Sequence, residues 1–575
     1  PTAAQNSANE YFEMLNLAPR PWSPVVAERL RGQGHPALLA RLYAARGIGD
    51  HDHLKTSLAE LLPHDTMRNS AEAAARLADA IAGRERLLVL ADYDADGATA
   101  CAVAVRGLRG LGAVVDYMVP NRFEDGYGLT PEIVRQATAR TPDLIVTVDN
   151  GIAAHAGIEA ARRHGIEVLV TDHHLPADTL PEALIVNPNQ PGCAFPSKAL
   201  AGVGVMFYVL IALRAELRRR GALDGAGPHL GELLDLVALG TVADLVKLDA
   251  NNRLLVDQGL KRLRAGKASP GVAALFKAAG RDPTRATAQD LGFVAGPRLN
   301  AAGRLADMSL GIACLLADDP AEALRLAREL DRLNRERREI EADMQAQAAA
   351  LLERIEVADG HSLSLFDPGW HPGVVGLLAS RLKERHHRPA VVFAEAGDGL
   401  LRGSGRAIPG LHLRDTLDVI DKRHPGLIVR FGGHAAAAGL TLVRDRLDEF
   451  TTAFESACRD QLDPAALRRV IETDGELARE EATLEQAQAL RHAVWGQGFP
   501  PPLFQGELRV DGQRLVGDKH LKLQVSAGGL AAEAMLFNHD APLPPCIQAA
   551  YRLDVNEWNG SQRLQWTIDH WCPLP

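Results

Sequence analysis

Asp92, Asp94 and Asp96 take alternate positions in the run Asp92-Tyr93-Asp94-Ala95-Asp96-Gly97. Three carboxylates this close repel one another unless a cation sits among them. Three more stretches offer similar groups: Asp149-Asn150-Gly151, Asp172-His173-His174, and Asp244 at the end of Gly240-Thr241-Val242-Ala243-Asp244. Asp94, Asp96, Asp149, His173 and Asp244 are the candidate metal ligands, with Asp92 and His174 beside them. A carboxylate-rich set with imidazole and no thiolate suits Mn²⁺ or Mg²⁺ better than structural zinc. Such a set can hold two cations about 4 Å apart, generate hydroxide near neutral pH and stabilise in-line displacement at phosphorus. Asp149, from the middle of the set, is the natural bridge.

These residues need elements that bring them together. Leu87–Ala91, Leu144–Val148 and Val168–Thr171 are apolar runs that each end in candidate ligands. They read as buried parallel strands, and Gly97 reads as a tight turn. Open α/β sheets place their chemistry at the carboxyl edge of such strands. Taken singly, each motif has a plainer reading. The Asp-rich run could be a calcium loop, His173 and His174 a cap and a core histidine, and Asp244 a helix cap. Their joint position at strand ends of one α/β lobe argues against coincidence.

The chain has 575 residues, too many for a single core. Its 46% hydrophobic and 24% charged content is that of a globular protein. No run of about 18 apolar residues predicts a membrane span. Residues 1–20 lack a signal-peptide pattern. The six cysteines are scattered without a CxxC, which fits reduced thiols in a cytoplasmic protein. A net charge of -10 argues against coating nucleic acid by bulk electrostatics but allows a local basic channel.

Residues 1–80 read as helical, 81–315 as a strand–helix alternation with a mostly parallel sheet, and 316–358 as one long helix joining two lobes. Residues 359–457 read as a second α/β lobe, and 465–575 as a small β-barrel. Three Gly-rich stretches read as loops: Gly296–Arg304, Arg402–Arg406 and Gly432-Gly433-His434. Backbone amides and Arg side chains in such loops grip phosphate, which makes Arg298, Ser404, Arg406 and His434 candidates for a terminal phosphate. That role requires them to face the metal edge; a surface ion pair or a plain turn is the alternative for each. Arg122 and Tyr127 suit contact with a nucleic-acid strand, though Tyr127 could equally pack under its own loop. In the barrel, Trp495, Phe499, Phe504, Phe537, Tyr551, Trp558 and Trp566 divide between core and base stacking, and Lys519, His520 and Lys522 could supply charge.

The successive motifs at Asp92–Gly97, Val148–Gly151, Asp172–His174 and Gly240–Asp244 resemble those of the DHH phosphoesterase superfamily. Gly432–Gly439 resembles the DHHA1 signature. With Gly296–Arg304 and Arg122–Leu129, the resemblance narrows to the RecJ family of exonucleases over about residues 85–570. It implies an α/β fold of two lobes (DHH and DHHA1) joined by a long helix, plus a C-terminal OB-type barrel. It implies processive 5′→3′ degradation of single-stranded DNA to mononucleotides with Mn²⁺ or Mg²⁺, in recombination and repair, by a monomer working with a helicase and single-strand binding protein. Asp92, Asp94, Asp96, Asp149, His173, His174 and Asp244 become the catalytic set. Arg122, Tyr127, Arg298, Asn300, Arg304, Ser404, Arg406, Gly433 and His434 become the substrate-binding set. Many superfamily members carry a His at the position of Leu90, so one of the two metals is expected to bind weakly here. A DHH esterase of short oligonucleotides and a non-catalytic DNA-binding scaffold are the rivals. The barrel argues against the first and the full ligand set against the second.

Overall fold

The computed structural model describes residues 15–122, 128–223, 225, 227–352, 360–517, 519–558 and 560–574. The chain divides into two compact units, Pro1–Asp331 with Ile471–Pro575, and Arg332–Val470. In the first, a short strand β1 (Asn16–Pro19) and helices Pro24–Gly32, Ala37–Ala45 and Ser70–Gly83 precede a five-stranded sheet. The sheet comprises β2 (Arg86–Ala91), β3 (Val114–Met118), β4 (Leu144–Val148), β5 (Glu167–Thr171) and β6 (Leu184–Val186), in the order β3-β2-β4-β5-β6. All its pairings are parallel. The apolar runs predicted as strands form it because they are covered on both faces. Ala91, Val148, Thr171 and Val186 lie in one row across β2, β4, β5 and β6. Residues 92, 149, 172 and 187 therefore leave the sheet side by side. The chain runs from β2 outward to β3 and then returns to β4 on the other side of β2, which makes the β2–β4 edge a topological switch point.

Helix Ala95–Gly110 follows β2 and packs on helices Gly202–Arg219 and Leu234–Ala243. It is buried nearly all round, as its apolar composition requires. The stretch Gly296–Arg304, expected to interrupt a helical region, is itself helical (Gly296–Leu305) and follows a π-turn at Leu291–Ala295. Its glycines serve packing: a Cβ on Gly303 would stand 2.0 Å from the Tyr93 carbonyl oxygen. The predicted long helix runs from Pro320 to Leu352, beginning in one unit and ending in the other.

The second unit holds β7 (Leu363–Phe366), β8 (Ala390–Glu395), β9 (Leu400–Arg406), β10 (Ile428–Gly433) and β11 (Ala437–Val443), ordered β10-β11-β9-β8-β7. Only β7 and β8 pair in parallel. Here the expectation of loops is corrected. Arg402–Arg406 lies inside β9, and Gly432 and Gly433 end β10. A Cβ on Gly403 would stand 2.5 Å from the Phe393 ring, and one on Gly405 2.8 Å from Leu413. Gly403 and Gly405 make room for neighbouring side chains, whereas Gly433, at φ 141°, leads into the β10–β11 connection that holds His434, as expected of a loop.

The chain then returns to the first unit through β12 (Val470–Thr473), which pairs with β1, and a closed barrel. The barrel strands are β13 (Phe504–Val516), β14 (His520–Ala527), β15 (Leu530–Phe537), β16 (Cys546–Trp558) and β17 (Ser561–Pro573), closing as β13-β14-β15-β17-β16. Leu521, Leu523 and Val525 alternate into its core, where Tyr551 stacks on Trp566 at 4.4 Å. Leu38, Leu39 and Leu42 join the same core. Beside it Arg46 and Asp474 form an ion pair with side chains 1% exposed. Trp495 and Phe499 stack on each other and on Tyr43, so they serve this junction. Among the described residues no helix is long and apolar enough to cross a membrane.

Candidate metal centre

The carboxyl edge of the parallel sheet gathers the acids. Asp92 leaves β2 buried, and its Oδ1 accepts from the Tyr93 amide at 2.6 Å. Asp94 caps helix Ala95–Gly110, accepting from the Gly97 amide at 3.0 Å. Gly97 is not the expected turn; it lies in the helix, where a Cβ would stand 2.4 Å from the Asp92 carbonyl oxygen. Asp96 accepts from the amides of Gly202 (2.7 Å) and Val203 (2.9 Å) at the N-terminus of helix Gly202–Arg219. Asp149 adopts a left-handed backbone, φ 63°, as it leaves β4. A Cβ on Gly202 would stand 2.6 Å from Asp149 Oδ1, so glycine there leaves space for that carboxylate. Asp244 ends helix Leu234–Ala243 at its C-terminus, the negative end of the helix dipole. A carboxylate there is unfavourable without a nearby cation.

His173 Nε2 lies 3.1 Å from Asp149 Oδ1, 3.5 Å from Asp244 Oδ2 and 3.9 Å from Asp96 Oδ2. Three groups have ligand atoms mutually within 4.8 Å: Asp96, His173 and Asp244; Asp149, His173 and His174; Asp92, Asp94 and Asp149. Asp149 is common to the histidine group and the all-carboxylate group, the position expected of a bridge. Among the described residues its Oδ1 and Asp244 Oδ2, both buried, have no well-formed hydrogen bond, though His173 Nε2 stands close to each. Buried acceptors left this way cost free energy that a cation would recover. The donor set fits a divalent ion that prefers oxygen ligands.

Burial, then repulsion from Asp94, raises Asp92 well above the carboxylate range and Asp96 to about 7. Burial, then Asp96, likewise raises Asp149 and Asp244. Asp172 goes the other way. Burial opposes its charge, but hydrogen bonding to His174 and the two histidine charges lower it. The same pairing, set against burial, lifts His174 to about 9.

Asp172 belongs to the Asp172-His173-His174 motif but lies outside both the candidate ligands and the expected catalytic set. Its Oδ1 accepts from His174 Nδ1 at 2.7 Å and from the His173 amide at 2.7 Å, and its Oδ2 from the Ile152 amide at 2.9 Å. Asn187 and Asn189 hold the His174 and His173 carbonyls at 3.0 and 2.6 Å. Asn150 Nδ2 donates to the carbonyls of Leu90 and Val148, tying β2 to β4 below the acids. A signal existed for Asn187: like Asp92 and Asp149, it directly follows an apolar strand. Leu90 packs among Ile133, Ile145 and Val170, in an apolar cluster.

The substrate candidates are spread over both units. Arg122 lies 5.0 Å over the Tyr93 ring, and its charge favours ionised Asp92. Tyr127 falls outside the described residues. Asn300 Oδ1 accepts from the Ala95 amide at 2.9 Å, so it supports the Asp94 cap. Arg298 is bonded to Asp331 (2.7 Å) and to the Val294 carbonyl (2.6 Å), while Arg304 is half-buried at the end of its helix. In the second unit, Arg406 Nη1 donates to Ser404 Oγ at 3.1 Å. A Cβ on Gly376, in the first turn of helix Val375–His386, would stand 3.0 Å from Ser404 Oγ and 3.2 Å from Arg406 Nη2. Arg406 pairs with Ala437, Gly433 with Ala438, and the His434 amide donates to Ala437. Arg406, Gly433 and His434 therefore share one end of the β10–β11–β9 ribbon.

A parallel sheet with carboxylates and a His pair at its switch point, followed by a separate mixed-sheet unit, defines the DHH phosphoesterase class. The DHH family N-terminal domain matches residues 86–241, the DHHA1 domain 357–460 and the RecJ OB domain 473–570. The chain is 53% identical to the single-stranded-DNA-specific exonuclease RecJ of Dickeya dadantii and 52% identical to that of Escherichia coli. Each comparison spans 94% of this chain and 96% of the relative. The crystal structure of Thermus thermophilus RecJ in complex with Mn²⁺ is 31% identical with a TM-score of 0.81, covering 98% of this chain and 80% of that one. The chain belongs to the RecJ family.

Proposed function

We propose that this chain is a single-stranded-DNA-specific exonuclease that uses Mn²⁺ or Mg²⁺ and removes mononucleotides from the 5′ end. The observation that carries it is the sharing of Asp149 between the histidine and the all-carboxylate groups. Asp96, His173 and Asp244 would hold one ion, and Asp92 and Asp94 a second, with Asp149 serving both. When bound, such a pair makes hydroxide available near neutral pH and offsets the charge that develops in displacement at phosphorus. Asp172, 2.7 Å from His174 Nδ1, would fix that ring beside Asp149 at the metal edge. Arg122, stacked on Tyr93, offers a guanidinium for the strand's backbone, and Tyr127 a ring from the adjoining segment. Asn300 keeps its helix in register with the Asp94 cap, and Arg304, half-buried at the end of that helix, would offer a guanidinium to the strand.

For polarity, Ser404, Arg406, Gly433 and His434 at one end of the β10–β11–β9 ribbon would form the receptor for the 5′-terminal phosphate, while Arg298, held by Asp331, would meet the strand within its own unit. Guanidinium, hydroxyl and bare backbone together suit a dianion. In cells the enzyme would act as a monomer in the cytoplasm, in recombination and repair, on strands supplied by a helicase and covered by single-strand binding protein. The segments 1–80, 81–315, 316–358, 359–457 and 465–575 would carry scaffold, chemistry, linkage, end recognition and strand retention in turn.

Incubation with Mn²⁺ and single strands labelled at either end tests the reading. Immediate release of labelled mononucleotide from 5′-labelled strands only is expected. A ladder of shortening 5′-labelled fragments would reverse the polarity, and equal attack on RNA would remove the sugar specificity.

A further inference from the structure

The edge that carries Asp244 also carries two large apolar side chains left in solvent. Leu245 is 67% exposed and Phe293 69%. Single exposed apolar residues are ordinary. Leu245 combines its exposure with a second cost, a left-handed backbone at φ 60° directly after Asp244. That conformation suits glycine, and a leucine held there points to a use for its side chain. Phe293 sits in the π-turn Leu291–Ala295, a rare conformation that is frequent at functional sites.

The two residues belong to adjoining segments. A Cβ on Gly292 would stand 3.2 Å from Val242 Cγ1, and one on Gly296 3.1 Å from Ala243 Cβ. The π-turn therefore lies against the helix end that presents Asp244. From Asp244 the chain runs straight to the barrel side of the same unit. The Leu248 amide donates to the Gln497 carbonyl at 2.7 Å, and a Cβ on Gly498 would stand 2.6 Å from Lys247 Cγ. An exposed apolar step thus separates the metal edge from the barrel, with Lys247 beyond it.

We propose that Leu245 and Phe293 form a ledge that receives a nucleobase on the 3′ side of the scissile phosphodiester and so positions the reacting phosphate over Asp244. The proposal rests on the exonuclease reading above. The occupant follows from continuity: a strand passing from the metal edge toward the barrel crosses this ledge, and Lys247 beyond it suits the next phosphate. Every base offers a π-face, so stacking on Phe293 places any nucleotide without reading sequence. A base paired within a duplex cannot reach the ledge, which adds to the preference for single strands.

The experiment measures kcat/KM with Mn²⁺ on 5′-phosphorylated strands, either intact or with one abasic position at the second, third, fourth or fifth nucleotide. Wild type, Phe293→Ala and Phe293→Tyr are compared. Phe293→Ala is expected to cost about 10-fold on the intact strand, mostly in KM, with Phe293→Tyr restoring it. At one abasic position the two losses should not multiply, because each removes half of the same contact. Losses that multiply at every position, or Phe293→Ala equal to wild type, would overturn the ledge. Wild type inactive on the intact strand would instead bring down the exonuclease reading. Leu245→Gly gives a second measurement: a higher Tm, from relief of the backbone, with a higher KM. A lower Tm and unchanged KM would make Leu245 merely structural.

Discussion

The two sheets carry chemistry in opposite ways. In the parallel sheet, reactive side chains hang from the ends of strands that finish in one row, and backbone amides aim them. In the mixed sheet, Ser404 and Arg406 alternate within β9 itself, between glycines that yield to Phe393 and Leu413. The first arrangement concentrates negative charge at a price in self-repulsion, and it is completed by cations. The second presents a guanidinium, a hydroxyl and bare backbone, and on the proposed reading it would be completed by an anion. Cleavage needs both ends of that polarity, yet their failures should look different.

The largest effect is expected at the shared carboxylate. Asp149→Asn keeps a residue type that tolerates the left-handed backbone but loses the charge, and cleavage in Mn²⁺ should fall on the order of 1,000-fold or more. The circular dichroism spectrum should stay unchanged. Near-normal turnover would remove Asp149 from the bridge. Next comes Asp172→Asn, which loosens the ring of His174 while leaving every proposed metal ligand in the chain. A loss of about 10- to 100-fold is expected, together with weaker Mn²⁺ binding by calorimetry. An effect on cleavage without one on Mn²⁺ would place Asp172 on the substrate side of the comparison.

Arg406→Ala should lower the preference for 5′-phosphorylated over 5′-hydroxyl ends by about 10-fold, as loss of a charge-assisted contact does. Equal losses on both ends would show that β9 recognises no terminal phosphate. The smallest effect concerns stability. Asp96 titrates at about 7 when folded and metal-free, above its ordinary value, so the unfolded state ionises first as pH rises. Its contribution is present below about pH 4 and is lost by about pH 7. The chelated protein should therefore melt several degrees lower at pH 8 than at pH 5. Mn²⁺ should raise Tm more at pH 8, and Asp96→Asn should flatten the profile. A metal-free Tm that rises with pH would contradict the crowding of acids.

The parallel sheet was legible because its apolar runs are continuous and its ligands fall directly behind them. Asp92, Asp149 and His173 could be placed on one edge from that alone. The glycines misled because their cause is a contact made only once the chain has folded, whether the neighbour is near or far in sequence. Gly97 yields to the carbonyl of Asp92, Gly303 to Tyr93 and Gly403 to Phe393, and glycine's composition signal is the same for a turn and for a tight contact. Asn187 and Asn189 lie outside the motifs and Asn150 lies inside one, but all three act on backbone carbonyls, which their residue type does not announce. Asp244 was legible as a ligand, but its place at the negative end of a helix needed the structure.

The core shared by the barrel and helix Ala37–Ala45 has a consequence for synthesis. Leu38, Leu39 and Leu42 find their partners in Phe504, Leu508 and Tyr551, and Arg46 meets Asp474 across 428 positions of sequence. A ribosome making about 5–20 residues per second leaves these leucines exposed for roughly 20–90 s before the first barrel strand emerges. The parallel sheet can close during that wait, with helix Ser70–Gly83 against helix Gly202–Arg219; helix Ala37–Ala45 cannot complete its core. The nascent chain thus carries a greasy leading segment through most of its own translation, and its last hundred residues decide whether the first fifty ever become folded.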